Sequence, residues 1–128
     1  MVTIIIDCTK SHYKFPEYWK PLQLKHAKIE FIFNEHSILH AIKKASNKHV
    51  FVTSPNLIPT YETMVKLETL QENTMLAPQN HIGISTNSIT PVSYEKDKCL
   101  SMDETFSMNS YIDKFNPEII EEGSMYSV

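Results

Sequence analysis

Lys28-Ile29-Glu30-Phe31-Ile32-Phe33, then residues 34–46, then His49-Val50-Phe51-Val52-Thr53-Ser54: these three pieces decide the fold. In the first, Ile29, Phe31 and Phe33 alternate with Lys28, Glu30 and Ile32, the two-residue period of a strand with one apolar face. In the second, Ile38, Ala41, Ile42 and Ala45 recur at helical spacing, with His36, His40, Lys43 and Lys44 on the other side. Asn34 suits the N-cap of that helix and Glu35 its first turn. Asn47 suits a left-handed residue just past its end. The third piece is short, apolar and rich in valine. Strand, helix and strand in so little chain form the β-α-β unit of a parallel sheet.

Working outward, residues 2–7 form an apolar, β-branched run with the pattern of a strand buried on both faces. Pro16 starts a short helix over residues 16–20, which Pro21 ends. Trp19 and Leu22 then cover one face of the sheet. Residues 60–72 read as helix or strand, their length favouring helix. Residues 75–77 and 81–85 read as short strands. A turn at 86–88 brings back a strand over 89–94, with Pro91 on its edge, to make a hairpin. Further on, Asn116-Pro117-Glu118 opens a short helix that Gly123 closes. Together these elements predict an α/β chain: a small three-layer Rossmann-like domain with a parallel β-α-β core, an appended antiparallel hairpin and an acidic C-terminal arm. The domain occupies residues 1–98 and the arm residues 99–128.

Composition narrows the function. The chain has 128 residues, a net charge of −3, twelve lysines and no arginine. Arginine's planar fork is what reads guanine and clamps phosphate, so nucleic acid is not the expected partner. No apolar run is long enough to span a bilayer, so no membrane partner is expected either. The N-terminus begins directly on a strand without the basic flank of an export signal. Cys8 and Cys99 make no disulfide framework and read as reduced thiols. A cytoplasmic protein is expected: the host cytoplasm, or a virion, if the source is viral. The charge is uneven. Residues 1–98 carry eleven lysines against nine acids, whereas residues 99–128 carry Lys114 against six.

Ligands of open parallel sheets bind past the carboxyl ends of the strands. There the sequence gathers Asp7 and Thr9, Asn34 and Glu35, and Ser54 and Asn56. Asp7, Thr9, Glu35, Ser54 and Asn56 are the ligand-binding candidates, with no catalytic residue assigned. His36 and His40 have ligand spacing but lack a third donor nearby, so they read as a solvated face rather than a metal site. Gly83 and Gly123, the only glycines, open no phosphate-cradling loop, and no cofactor is expected. The last thirty residues carry Phe106, Met108, Tyr111, Phe115, Ile119 and Ile120, too apolar for a solvated tail. These are the candidates for docking on another protein or a second copy.

The order Tyr18-Trp19-Lys20-Pro21-Leu22, then Ala27-Lys28-Ile29, a helix bearing His40-Ala41 and Lys44-Ala45-Ser46, then strand 49–53, resembles the N-terminal half of glycosyltransferase-like proteins of large tailed phages. These are of the GT-A, nucleotide-diphospho-sugar transferase type, and the resemblance covers residues 2–60. It implies a nucleotide-sugar site at the strand ends. At the end of the third strand that family carries Asp-x-Asp for a divalent metal; this chain has Ser54-Pro55-Asn56, neutral oxygens without that charge. The resemblance therefore implies a truncated relative. Two readings follow: a non-catalytic interaction or structural module docking through its acidic arm, or a small glycosyltransferase-like enzyme with Asp7, Thr9, Ser54 and Asn56 lining the pocket and Glu35 or Asp7 as base.

Overall fold

The structure, a computed structural model, describes residues 1–9, 16–83 and 90–128, with only the backbone of Pro16. Strand β1 (Val2–Asp7) is buried along its whole length. Strands β2 (Glu30–Asn34) and β3 (His49–Thr53) lie parallel to it on either side, with Ile5 beside Ile32 and Val52. The β-α-β unit read from residues 28–54 is therefore present, but its strands are not neighbours. β1, apolar on both faces, takes the central place between them. Three short strands follow: β4 (Leu57–Pro59), β5 (Thr74–Leu76) and β6 (Asn80–Gly83). Then β7 (Val92–Glu95) joins the far side of β3, antiparallel, completing the order β2-β1-β3-β7. Strands β8 (Glu118–Ile120) and β9 (Ser124–Ser127) pair with β5 and with β4 and β6 respectively.

Alternation along the strands gives the central sheet two cores. On one face Ile5, Val50, Val52 and Tyr94 meet helix α2, α4 and α5 residues such as Ile42, Cys99 and Tyr111. On the other, Ile4, Ile6 and Phe51 meet Trp19, Met64, Leu67 and Met125. The helices are α1 (Pro16–Lys25), α2 (Ile38–Lys44), α3 (Tyr61–Glu68), α4 (Lys96–Met102) and α5 (Met108–Phe115). Ser37 caps α2, Thr60 caps α3 and Ser107 caps α5 through their hydroxyls. The ambiguous stretch after residue 60 is thus a helix, its buried Thr63, Met64 and Leu67 on one side. Trp19 is fully buried, edge-on to Phe31 and Phe33, and its Nε1–H donates to the Pro55 carbonyl at 2.8 Å.

Several expectations are corrected. Pro21 does not end α1, which runs on to Lys25. The carbonyl that a proline at this position cannot bond is that of Glu17, and both residues are exposed, so the lost bond falls on the solvent side, where it costs least. Asn34 ends β2 instead of capping α2, and Asn47 is not left-handed. Its side chain donates to Thr3 Oγ1 instead. Among the described residues the hairpin is absent: β6 runs parallel to β9 in one sheet and β7 pairs with β3 in another. Its turn, residues 86–88, lies outside the described residues.

The short helix at 116–123 is also absent. Asn116, at φ +43°, is the left-handed cap that closes α5, and the proline after it belongs to that stop signal. Ile119 and Ile120 then extend as β8 beside Met75 and Leu76.

The largest correction concerns the arm. The boundary at residue 98 falls inside α4, and β9 is the middle strand of its sheet. Tyr111 and Met125 are fully buried, one in each core. Phe106, Met108 and Phe115 pack against the first core and Ile120 against the second, while Ile119 is exposed. The apolar side chains offered to a partner are spent almost entirely on the chain's own body.

Candidate functional site

Parallel pairing brings the carboxyl ends of β1, β2 and β3 together, strand spacing apart. The ladder continues one step past β1, where the Cys8 N–H donates to the Asn34 carbonyl at 2.7 Å. Asp7, Asn34 and Ser54 on this rim are engaged locally. Asp7 Oδ1 accepts from the Thr9 N–H at 3.0 Å and from the Thr9 hydroxyl at 2.7 Å, the geometry of an Asx turn. Asn34 Nδ2 donates to the carbonyls of His36 and Ser37, and its Oδ1 accepts from the His36 N–H. Ser54 Oγ donates to Asn56 Oδ1 at 2.8 Å. The Asn56 carbonyl in turn accepts from the Val128 N–H, so the end of β9 closes over this loop.

Three of the five ligand-binding candidates, Asp7, Thr9 and Glu35, thus flank one side of the rim, and Ser54 and Asn56 the other. At the carboxyl ends of β1 and β2, beside α2, lies a cavity of about 240 Å³ touched by Cys8, Phe33, Asn34, Glu35, His36 and Lys44. The thiol there is a poor nucleophile. Burial pushes Cys8 up to about 11, the negative charges of Asp7 and Glu35 adding to the effect. Among the described residues the charges that shift it are negative, the opposite of the setting that activates a cysteine. His36 and His40 do meet, their rings 4.8 Å apart and edge-on. Among the described residues no group of three or more His, Cys, Asp or Glu is placed to hold a metal. Ser54-Pro55-Asn56 brings hydroxyl and amide oxygens, not carboxylates, to the position at which the resemblance would put a metal clasp.

A larger concavity lies elsewhere. α1, β4, α3, β6 and β9 enclose an apolar groove of about 450 Å³. Tyr61 (62% exposed), Ile82 (48%) and Tyr126 (48%) stand along it, with Leu22 and Ile58 at its floor. Lys25 crosses its edge, the ammonium 4.6 Å from the Tyr61 ring. Reading the sequence in order does not reveal this groove. It is assembled from five elements far apart in the chain, and Tyr126 belongs to a segment read as a tail. The only local signal is Tyr61, an aromatic residue on the polar side of a helix.

Among the described residues no helix is long and apolar enough to cross a membrane. Both cysteines are free and buried. Compared with protein-family models, with curated proteins and with solved structures, the chain matches none.

Proposed function

We propose that this chain is a non-catalytic protein-interaction module, a small Rossmann-like three-layer body that works in the cytoplasm and docks through its apolar groove. The observation that carries this reading is a contrast between two surfaces. At the strand ends, Asp7, Asn34 and Ser54 spend their polar atoms on neighbouring residues, which leaves a set of rigid turns rather than an acid–base pair. In the groove, Tyr18, Tyr61, Ile82 and Tyr126 remain between 48% and 62% exposed beside Lys25. Exposed aromatic clusters of this kind mark contact sites far more often than chance surface. The docking surface is then the face of α1, α3 and the β4-β9-β6 sheet. The C-terminal segment takes part through Tyr126 and not as a free arm.

Sedimentation velocity between about 10 and 500 µM tests it, the range in which a modest interface becomes populated. A species larger than the monomer is expected, reduced in Tyr61→Ser and Tyr126→Ser. A monomer at every concentration overturns the reading.

A second reading is favoured by one observation. The strand order puts β1 between β2 and β3, all parallel, with a polar cavity at its carboxyl end, where open sheets take nucleotides. On that reading the chain is a glycosyltransferase-like enzyme holding a nucleotide-sugar with Asp7, Thr9, Glu35, Ser54 and Asn56. A rise in Tm with UDP- or GDP-sugars and Mn²⁺, lost in Asp7→Asn, would favour it over the module.

A further inference from the structure

The second sheet has the order β4-β9-β6, so β6 is an edge strand. Among the described residues β9 is its only strand partner. Unpaired edges are templates for another strand, and folded proteins guard them with charge, proline, burial or a covering element. The other edges here carry such guards. β4 is buried throughout and ends on Pro59. β7 is buried and faces β5, where the Leu76 N–H donates to Ser93 Oγ. β2 carries Glu30, which accepts from the Ser46 N–H and hydroxyl and from Thr3. β8 carries Glu118. β6 reads Asn80-His81-Ile82-Gly83, with no lysine, no carboxylate and no proline, and all four residues are exposed.

We infer that β6 pairs with β6 of a second copy, antiparallel about a two-fold axis, to join two three-stranded sheets into one of six strands. This inference rests on the interaction reading above and names its surface and partner. A second strand can replace water along a whole row of edge N–H and C=O groups at once, and an identical strand run antiparallel does so symmetrically. The axis must stand normal to the sheet, because that operation reverses strand direction and keeps each face on its own side. It therefore places Ile82 and Tyr126 of both copies on one continuous apolar face, since Ile82 and Tyr126 are register partners across β6 and β9. Ile82 of each copy, flanking the new strand pair, supplies the apolar part of the contact and the edge supplies its direction, the two components of strand addition. Gly83 helps to fix the edge: at φ +111° it approaches β9 so closely that a Cβ would lie 2.5 Å from the Ser127 carbonyl oxygen. Four residues and one apolar strip are a small interface, so the dimer is weak and reversible.

Two measurements test it on the full chain. Amide hydrogen exchange of wild-type protein, compared at high and hundredfold lower concentration, should show protection of residues 80–83 that is lost on dilution. In sedimentation, Ile82→Lys should abolish the dimer while circular dichroism stays unchanged. A dimer that survives Ile82→Lys, with residues 80–83 exchanging alike at both concentrations, overturns the edge pairing and leaves the interaction reading standing. A wild-type monomer throughout overturns both. Protection at 80–83 independent of concentration also overturns it, since the edge is then covered within one chain.

Discussion

Tyr111→Ala should unfold both faces of the protein at once. Tyr111 is fully buried on α5, its ring edge-on to Tyr94 and Phe106 and tilted against Phe115. Its hydroxyl oxygen accepts the Glu95 N–H at 3.1 Å. Truncating a buried aromatic costs about 3–5 kcal/mol in transfer and cavity terms. The orphaned Glu95 N–H adds about 1–3 kcal/mol. The total, roughly 4–8 kcal/mol, is comparable with the whole stability of a domain this size, about 5–15 kcal/mol. Tyr111→Phe removes the hydroxyl alone and should cost about 1–3 kcal/mol.

The assay is urea unfolding read two ways: far-ultraviolet circular dichroism, and the fluorescence of Trp19, the single tryptophan. Trp19 lies in the other core, across the central sheet from Tyr111. With a slope of about 1–3 kcal/mol per molar urea, a loss of ~4 kcal/mol lowers the midpoint by roughly 2 M. Both probes should move together. A Trp19 midpoint unchanged in Tyr111→Ala, with only the dichroism altered, would mean that residues after 98 come off as a unit, and the reasoning would be refuted.

Other substitutions probe the remaining joints. Thr63 Oγ1 accepts the Ser124 N–H at 2.8 Å and donates to the Ser124 carbonyl at 2.7 Å; the Thr60 hydroxyl also donates to that carbonyl. Thr63→Val therefore orphans chiefly the Ser124 N–H and should cost about 2 kcal/mol in urea unfolding. His49 sits on β3 against Glu95 of β7, Lys48, the chain's amino terminus and the Gln71 carbonyl. Burial, the largest cause, holds its pKa below the usual histidine value, with Lys48 and the amino terminus acting the same way and Glu95 and the Gln71 carbonyl opposing. The unfolded chain thus binds the proton more readily, so His49 stabilises the fold above about pH 6.5 and that contribution is lost as the pH falls from there toward the lower folded value. His49→Gln should flatten the dependence of Tm on pH between about 7 and 5; an unchanged slope would show that His49 does not set it. Both thiols should be silent to a thiol reagent until the protein unfolds, because burial pushes Cys8 up to about 11 and Cys99 up to about 12. Rapid labelling of either in native protein would contradict that placement.

The legible part of the fold was the part with short sequence separation and one strong period. β1, β3 and the buried stripe of α2 follow from residues 2–7, 49–53 and Ile38, Ala41 and Ile42 alone. The lateral order of the strands does not. Nothing within residues 28–54 says that β1 separates β2 from β3; that depends on β1 being the most apolar strand in the whole chain. The C-terminal third misled for a physical reason. Its six acids, from Asp103 to Glu122, are all exposed, so composition reads as a solvated arm, while the few residues facing inward, Tyr111 and Met125 above all, are diluted among serines and acids. Asn116-Pro117 was ambiguous because the same pair can begin one helix or end another, and only the φ of Asn116 decides. At the candidate site, the strand ends were placed correctly by topology, but whether Asp7 and Asn34 were free to act depended on hydrogen bonds two and three residues away.

Fold and proposed function meet at β9. This strand pairs with β4, far earlier in the chain, and with β6, and it is pinned to α3 through Thr63 and Ser124. Gly123 makes that approach possible: at φ +91° its missing Cβ would lie 2.6 Å from the Thr63 hydroxyl. Without β9 in place β6 has no strand partner among the described residues, and the groove loses Tyr126. Such long-range pairing carries a large loop-closure cost. Thr63 is buried and touches no surface a partner meets. On the proposed reading Thr63→Val should nonetheless weaken self-association, at temperatures where the central sheet is still intact by Trp19 fluorescence, because it loosens the strand that holds the edge. If association is unaffected by Thr63→Val while stability falls, the docking surface does not depend on β9 and must be sought on the helices α1 and α3 alone.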